Sequence, residues 1–137
     1  MLLDDLGDYL STQGYGTVCS SGDYGIFKGR APEVPYRCIA LFEYGGLPAV
    51  HTMSATPGQA SPEQPRMQVM VRSPNYSSGR TKINNIFKAL DQLSNVTING
   101  CAYYYIEAVS SPIEQPRDKN ENAIFVCNFQ IMKSLST

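Results

Sequence analysis

His51 is the only histidine in this chain of 137 residues. An imidazole with no partner base, acid or second ligand has little chemistry open to it. It lies outside any G-x-S-x-G turn, and no cysteine stands in a recognisable nucleophile context. The cysteines, Cys19, Cys38, Cys101 and Cys127, include no C-x-x-C pair, whereas a zinc site needs closely spaced ligand pairs. Three of the four fall in apolar, strand-like runs, where a free thiol acts as a small hydrophobe. They read as core thiols, ahead of a disulfide, a metal site or a catalytic nucleophile. Glu43, Glu107 and Glu114 could meet as a carboxylate pair in three dimensions, yet no spacing recommends it. Asp4, Asp5 and Asp8 form an acidic cluster with two readings, a metal site or the solvated face of a helix start, and the second is the stronger. The glycines of YGG and YGIFKG do not follow a phosphate-binding pattern. The expectation is a non-enzyme with no catalytic residue, no metal and no cofactor.

Tyr103, Tyr104 and Tyr105 place rings on both faces of one strand, an arrangement that could stack bases of a single strand. Such platforms sit among basic residues, and this strand carries Glu107 with no Arg or Lys. One core face and one face packed in a protein interface is the better reading. Charged residues make up only 17% of the chain and the formal net charge is −1. There is no basic excess to neutralise phosphates, which disfavours a duplex-binding protein. No apolar run approaches the roughly 18 residues that span a bilayer. The start MLLDDLGDYL is acidic and periodic, unlike a secretory signal, so assembly in a reducing cytoplasm is expected.

Elements must hold these residues in place. Leu2, Leu3, Leu6, Tyr9 and Leu10 recur at helical spacing, with Gly14 and Gly16 as a stop. Thr17–Cys19 and Gly25–Lys28 read as two short strands in a hairpin about Ser20–Asp23. Arg37–Tyr44 and Met67–Arg72 are strands, the first apolar on both faces as a central strand would be. Ser73-Pro74 reads as an N-cap and first turn, opening a helix from about Pro74 to Leu93 on the face Ile83, Ile86, Phe87, Leu90 and Leu93. Asn99-Gly100 between VTI and CAYYYIEAV is a strong hairpin signal. A last strand runs from about Ala123 to Met132. The fold class expected is α+β: a two-layer sandwich of two helices on a mostly antiparallel mixed sheet, in a single domain over residues 1–137.

Two long connections stand apart. EYGGLPAVHTMSATPGQASPEQPR, residues 43–66, holds Pro48, Pro57, Pro62 and Pro65 and very little charge, and AVHTM within it has the pattern of an edge strand. SPIEQPRDKNEN is a second Pro-rich loop. Connections of this length are uncommon unless they bind or order against something. Low charge makes them cheap to desolvate, and proline limits the freedom they lose on ordering. That is the profile of a subunit in an assembly.

LLDDLGDYL, then LFEYGGLPAVHTMS followed by EQPRMQVMVR, then Y-x6-I-x2-I-F-x2-L and a closing FVCNFQIMK together resemble a family of small phage minor capsid proteins. These belong with the tail terminators of long-tailed, siphovirus-type phages. The segments VCSSGDYGIFKG and RDKNENA depart from the family's pattern. The resemblance implies helices on a mixed sheet and a homohexameric ring that caps the tail tube and docks to the head's connector. It implies as partners copies of the chain, the tail tube protein and connector or stopper proteins. Genomic DNA would pass through the lumen without specific binding, and no membrane is involved. On this reading the two loops and their roots carry the subunit contacts, through Tyr44, Leu47, Pro48, His51, Met53, Pro57, Pro62, Gln64, Arg66, Pro112 and Arg117. A head-completion or stopper protein is the nearest alternative, and a single-stranded nucleic-acid-binding module a remote one.

Overall fold

A computed structural model describes residues 2–15, 17–18, 25–29, 37–47, 64–117 and 121–133. The elements run α1 (Leu2–Thr12), β1 (Thr17–Val18), β2 (Gly25–Lys28), β3 (Cys38–Leu47), β4 (Gln64–Ser73), α2 (Tyr76–Leu90), β5 (Leu93–Ile98), β6 (Cys101–Ala108), β7 (Ile113–Gln115) and β8 (Ala123–Lys133). The described strands form one sheet in the order β1-β2-β3-β4-β8-β6-β5, with β7 added to β8. Strands β1, β2 and β3 pair in parallel. Every other pairing is antiparallel. Two helices on a mixed, mostly antiparallel sheet is the architecture expected from the sequence.

Both helices lie on one face, and the sheet curls around them. A Cβ built on Gly7 of α1 would lie 3.7 Å from both Ile26 of β2 and Leu41 of β3. One built on Gly79 of α2 would lie 2.9 Å from the Phe125 ring of β8. The alternation of β4 turns Met67, Val69 and Val71 to this face, and that of β8 turns Phe125, Cys127, Phe129 and Ile131 to it. Leu2, Leu6 and Leu10 of α1 and Ile83, Ile86 and Leu90 of α2 complete the core, all at most 3% exposed. Burying one such side chain stabilises the fold by about 1.5–3 kcal/mol before chain entropy is counted.

Helix α1 spans the mouth of the curl and holds both ends of the sheet. Lys28 Nζ of β2 donates to Asp4 Oδ1 at 2.9 Å. From the other end of the sheet, Tyr103 Oη of β6 donates to Asp5 Oδ2 at 2.7 Å. Asn99, in the β5–β6 turn, donates its amide to Asp5 at 3.2 Å and Asp8 at 3.0 Å. The acidic cluster is therefore not a solvated face alone, since Asp5 is buried at 3% exposure. A periodicity that places Asp5 off the apolar stripe cannot show that Tyr103 reaches it from a strand 98 residues away. The helix ends as its glycine requires. Gly14 has φ +86°, its N–H donates to Ser11 O at 3.1 Å and the Tyr15 N–H to Leu10 O at 3.0 Å, a Schellman pattern. Lys82 of α2 then donates to Tyr15 O at 3.1 Å, tying the two helices.

The structure corrects several boundaries. β1 and β2 are parallel, Thr17 opposite Gly25, so they do not form the expected hairpin. Parallel neighbours cannot be joined by a tight turn, and residues 19–24 lie outside the described ones. The N-cap of α2 is Asn75, whose side chain accepts from the Ser78 N–H at 3.1 Å. Ser73 instead ends β4 opposite Ala123, fully buried, and its Oγ accepts from the Asn75 N–H at 3.2 Å. Pro74 thus precedes the cap. α2 stops at Leu90, because Gln92 takes φ +62° and Leu93 begins β5. The loop SPIEQPRDKNEN contains β7, antiparallel to the first half of β8, while β6 takes the second half. β3 and β4 also extend into the 43–66 stretch from both sides. One extra β3 residue lies between Tyr44–Arg66 and Leu47–Gln64, a bulge placed at Gly45-Gly46, where glycine suits it. The AVHTM segment lies outside the described residues.

The Asn99-Gly100 turn is a hairpin turn as expected, with φ +51° and +78° closing Ile98 onto Cys101.

Candidate functional site

With both helices on one face, cross-strand register lays the other face of the sheet out in rows. Ile113, Val126, Met70, Ala40 and Phe27 face one another across β7, β8, β4, β3 and β2. This row is wholly apolar; Ile113 is 49% exposed, whereas Val126, Ala40 and Phe27 are buried. The next row along β8 is Asn128, Gln68 and Phe42, and exposed Val109 donates its N–H to Asn128 O at 2.8 Å. The row beyond is Glu107, Gln130, Arg66 and Tyr44. An apolar band thus borders a more polar band of three amides, one arginine and one glutamate, with Phe42 and Tyr44 at its β3 end.

Two atoms in the polar band are unsatisfied. Arg66 Nε and Asn128 Oδ1 are buried without a hydrogen-bond partner. One is a donor and the other an acceptor, and each costs about 1–3 kcal/mol while unpaired. They lie two residues apart along the strands, since Arg66 faces Gln130 and Gln68 faces Asn128.

The sequence-predicted contact residues divide by position. Tyr44, 40% exposed, and Arg66 face each other at the root of the 43–66 stretch, followed by Leu47 and Gln64. Pro48, His51, Met53, Pro57 and Pro62 lie outside the described residues. Pro112 is buried, and its carbonyl accepts from Arg80 Nη1 at 3.2 Å. Arg117 is exposed and donates to Glu121 O at 2.8 Å, bracketing residues 118–120. The two groups reach β8 near Gln130 and near Val126. That is four residues of strand, or roughly 13 Å, so they border one surface.

Sequence reasoning missed the middle of that surface: Gln68, Met70, Val126, Asn128 and Gln130. A signal existed, since Asn128 and Gln130 interrupt the apolar run FVCNFQIM at alternate positions. It marks a second face without telling what lies there.

The groups considered for chemistry are otherwise engaged. Burial raises the thiol of Cys38 above its usual value, with Arg72 opposing weakly. Burial, reinforced by the Asp91 carboxylate, pushes Cys127 up to about 11, and its Sγ donates to Ser110 O at 3.5 Å. These are protonated core thiols, and Cys101 is buried too. Glu43, Glu107 and Glu114 are exposed on β3, β6 and β7. Tyr103 is buried, Tyr104 is 41% exposed and Tyr105 half-buried. Among the described residues no cluster of His, Cys, Asp and Glu is disposed to hold a metal, and no helix is long and apolar enough to cross a membrane. A shallow hollow on α2 is lined by Ser77, Ser78, Thr81, Lys82 and Asn85, but its lysine is committed to Tyr15.

No curated protein matches the chain. A family model described as "Bacteriophage tail terminator protein" matches residues 9–134.

Proposed function

The chain belongs to the bacteriophage tail terminator family, and from that premise we propose that it forms a homohexameric ring that caps the tail tube. The ring ends tube elongation and offers the head-facing surface to the connector. It acts as one domain over residues 1–137, assembled in the host cytoplasm and carried into the virion. The work is mechanical. One ring face binds tube protein, the other binds the head, and the lumen lets DNA pass without holding it. A near-neutral chain suits that last duty.

The observation that carries the reading is the outer sheet face. An apolar band there borders a polar band containing a buried orphan donor, Arg66 Nε, and a buried orphan acceptor, Asn128 Oδ1. Native folds satisfy nearly all such groups, and a neighbouring protein that supplies the missing partners relieves both. The same face runs to the roots of the 43–66 stretch, whose low charge lets it be desolvated against another subunit.

Negative-stain imaging of the purified protein should show six-fold rings. Shortening residues 54–64 should block ring assembly or tail joining while the monomer stays folded. Normal rings and normal tail attachment in that variant would remove the loop from the proposal. Co-purification with portal-bearing heads, instead of with free tails, would transfer the chain to the stopper role.

A further inference from the structure

Asn99 is the only asparagine followed by glycine in the chain, and its side chain is one of the ties between α1 and the sheet. We infer that Asn99 is a site of spontaneous deamidation and that its conversion releases α1 from the β5–β6 hairpin. The inference is independent of the assembly reading above.

The geometry supplies three conditions. Asn99 and Gly100 are both exposed at the hairpin tip, so water reaches them. Gly100 has no side chain beside its backbone nitrogen, and a Cβ built on it would meet nothing within 4 Å, so the turn is open to solvent on that side. The amide also has something to lose, since Nδ2 donates to Asp5 Oδ1 at 3.2 Å and to Asp8 Oδ2 at 3.0 Å.

The reaction balances without any redox partner. The Gly100 backbone nitrogen bonds to Asn99 Cγ, the Cγ–Nδ2 bond breaks, and ammonia leaves with the proton that the backbone nitrogen gives up. Water then opens the resulting five-membered imide at one of its two carbonyls, leaving aspartate or isoaspartate. One water is consumed and one ammonia released.

The product reverses the sign of the contact. A group that donated to two carboxylates becomes a third carboxylate beside them, and like charges at hydrogen-bond distance repel. Isoaspartate adds a backbone carbon as well, which the two-residue turn has no room for. Asp5 keeps its bond from Tyr103 at 2.7 Å, so the first part to open is the α1 segment about Asp8, next to the turn.

The test ages the full-length protein in mildly alkaline buffer and reads residue 99 by peptide mapping. Hydrogen exchange then follows α1 in the aged protein, in Asn99→Asp and in Asn99→Gly. The last variant keeps a turn-compatible pair but adds no charge and cannot convert. Aspartate and isoaspartate should accumulate at residue 99, and α1 amides should lose protection in aged protein and in Asn99→Asp more than in Asn99→Gly. The inference is overturned if residue 99 keeps its amide in the folded chain while a peptide of residues 93–107 converts fully. It is equally overturned if the converted protein protects α1 as well as the fresh one. The aged wild-type protein keeps the test decisive should Asn99→Asp fail to fold.

Discussion

Gly79 shows how a single residue sets the distance between a helix and the sheet. Its missing side chain lets α2 rest on Phe125, whose ring Tyr76 of the same helix meets edge-on at a centroid distance of 5.4 Å. Arg80 lies 5.8 Å over the same ring. A methyl at position 79 would come within 2.9 Å of Phe125 and 3.1 Å of Ser73 Cβ, and neither has space to withdraw. Gly79→Ala should therefore destabilise the fold by about 1–3 kcal/mol, less the ~1 kcal/mol that alanine favours a helix, read as a lower urea midpoint. Cys127 makes a prediction in pH. Its thiol titrates near 11 in the folded chain against an ordinary 9.0, so the folded state binds the proton more tightly. The stability linked to that proton is complete below about 9 and is lost as pH rises toward 11. Urea titrations across that window should fall more steeply for the wild type than for Cys127→Ala, and a thiol reagent should leave Cys127 unmodified at neutral pH.

At the scale of elements, what the sequence made legible was whatever repeats locally. The apolar stripes of α1 and α2, the alternation of β4 and β8 and the Asn99-Gly100 turn all follow from short-range periods. The cap of α2 did not, because Ser73 and Asn75 both suit the role and only burial of Ser73 in β4 decides between them. Asn75→Ala should accordingly cost about 1 kcal/mol, measured by thermal unfolding, while Ser73→Ala acts through β4 instead. β6 illustrates a deeper limit. Tyr103 pairs with Lys133 and Tyr105 with Met132, so Tyr104 is an extra residue. It reverses the alternation, putting Cys101 and Tyr103 in the core on one side and Ile106 on the other. Asn95, at φ +54°, makes the matching irregularity in β5. Three tyrosines in a row disguise that change of phase. The pairing of β1 was hidden for a related reason: parallel partners leave no mark at the turn.

The whole molecule presents a core on the inner face and a banded, partly buried outer face. If the outer face meets a neighbour, Arg66→Ala combined with Asn128→Ala should weaken assembly while leaving the isolated subunit as stable as before, or slightly more so. Size-exclusion chromatography beside thermal unfolding separates the two effects. An equal loss in both would make the pair a feature of the fold alone. The candidate surface was half visible beforehand: its loop roots stand out by composition, but its middle needed the strand order, which no local period encodes. That strand order bears on how the chain reaches its shape. Helix α1 rests on β2 and β3 on one side and on Asn99 and Tyr103 on the other, residues 94 and 98 positions downstream of Asp5, so half of its seat does not exist until β5 and β6 have been synthesised and paired. A ribosome delivers the helix long before that half of its dock, and its leucine stripe must wait partly exposed meanwhile. The first helix of the described chain is thus fully seated only when both ends of the sheet are in place, so its docking reports that the sheet has closed.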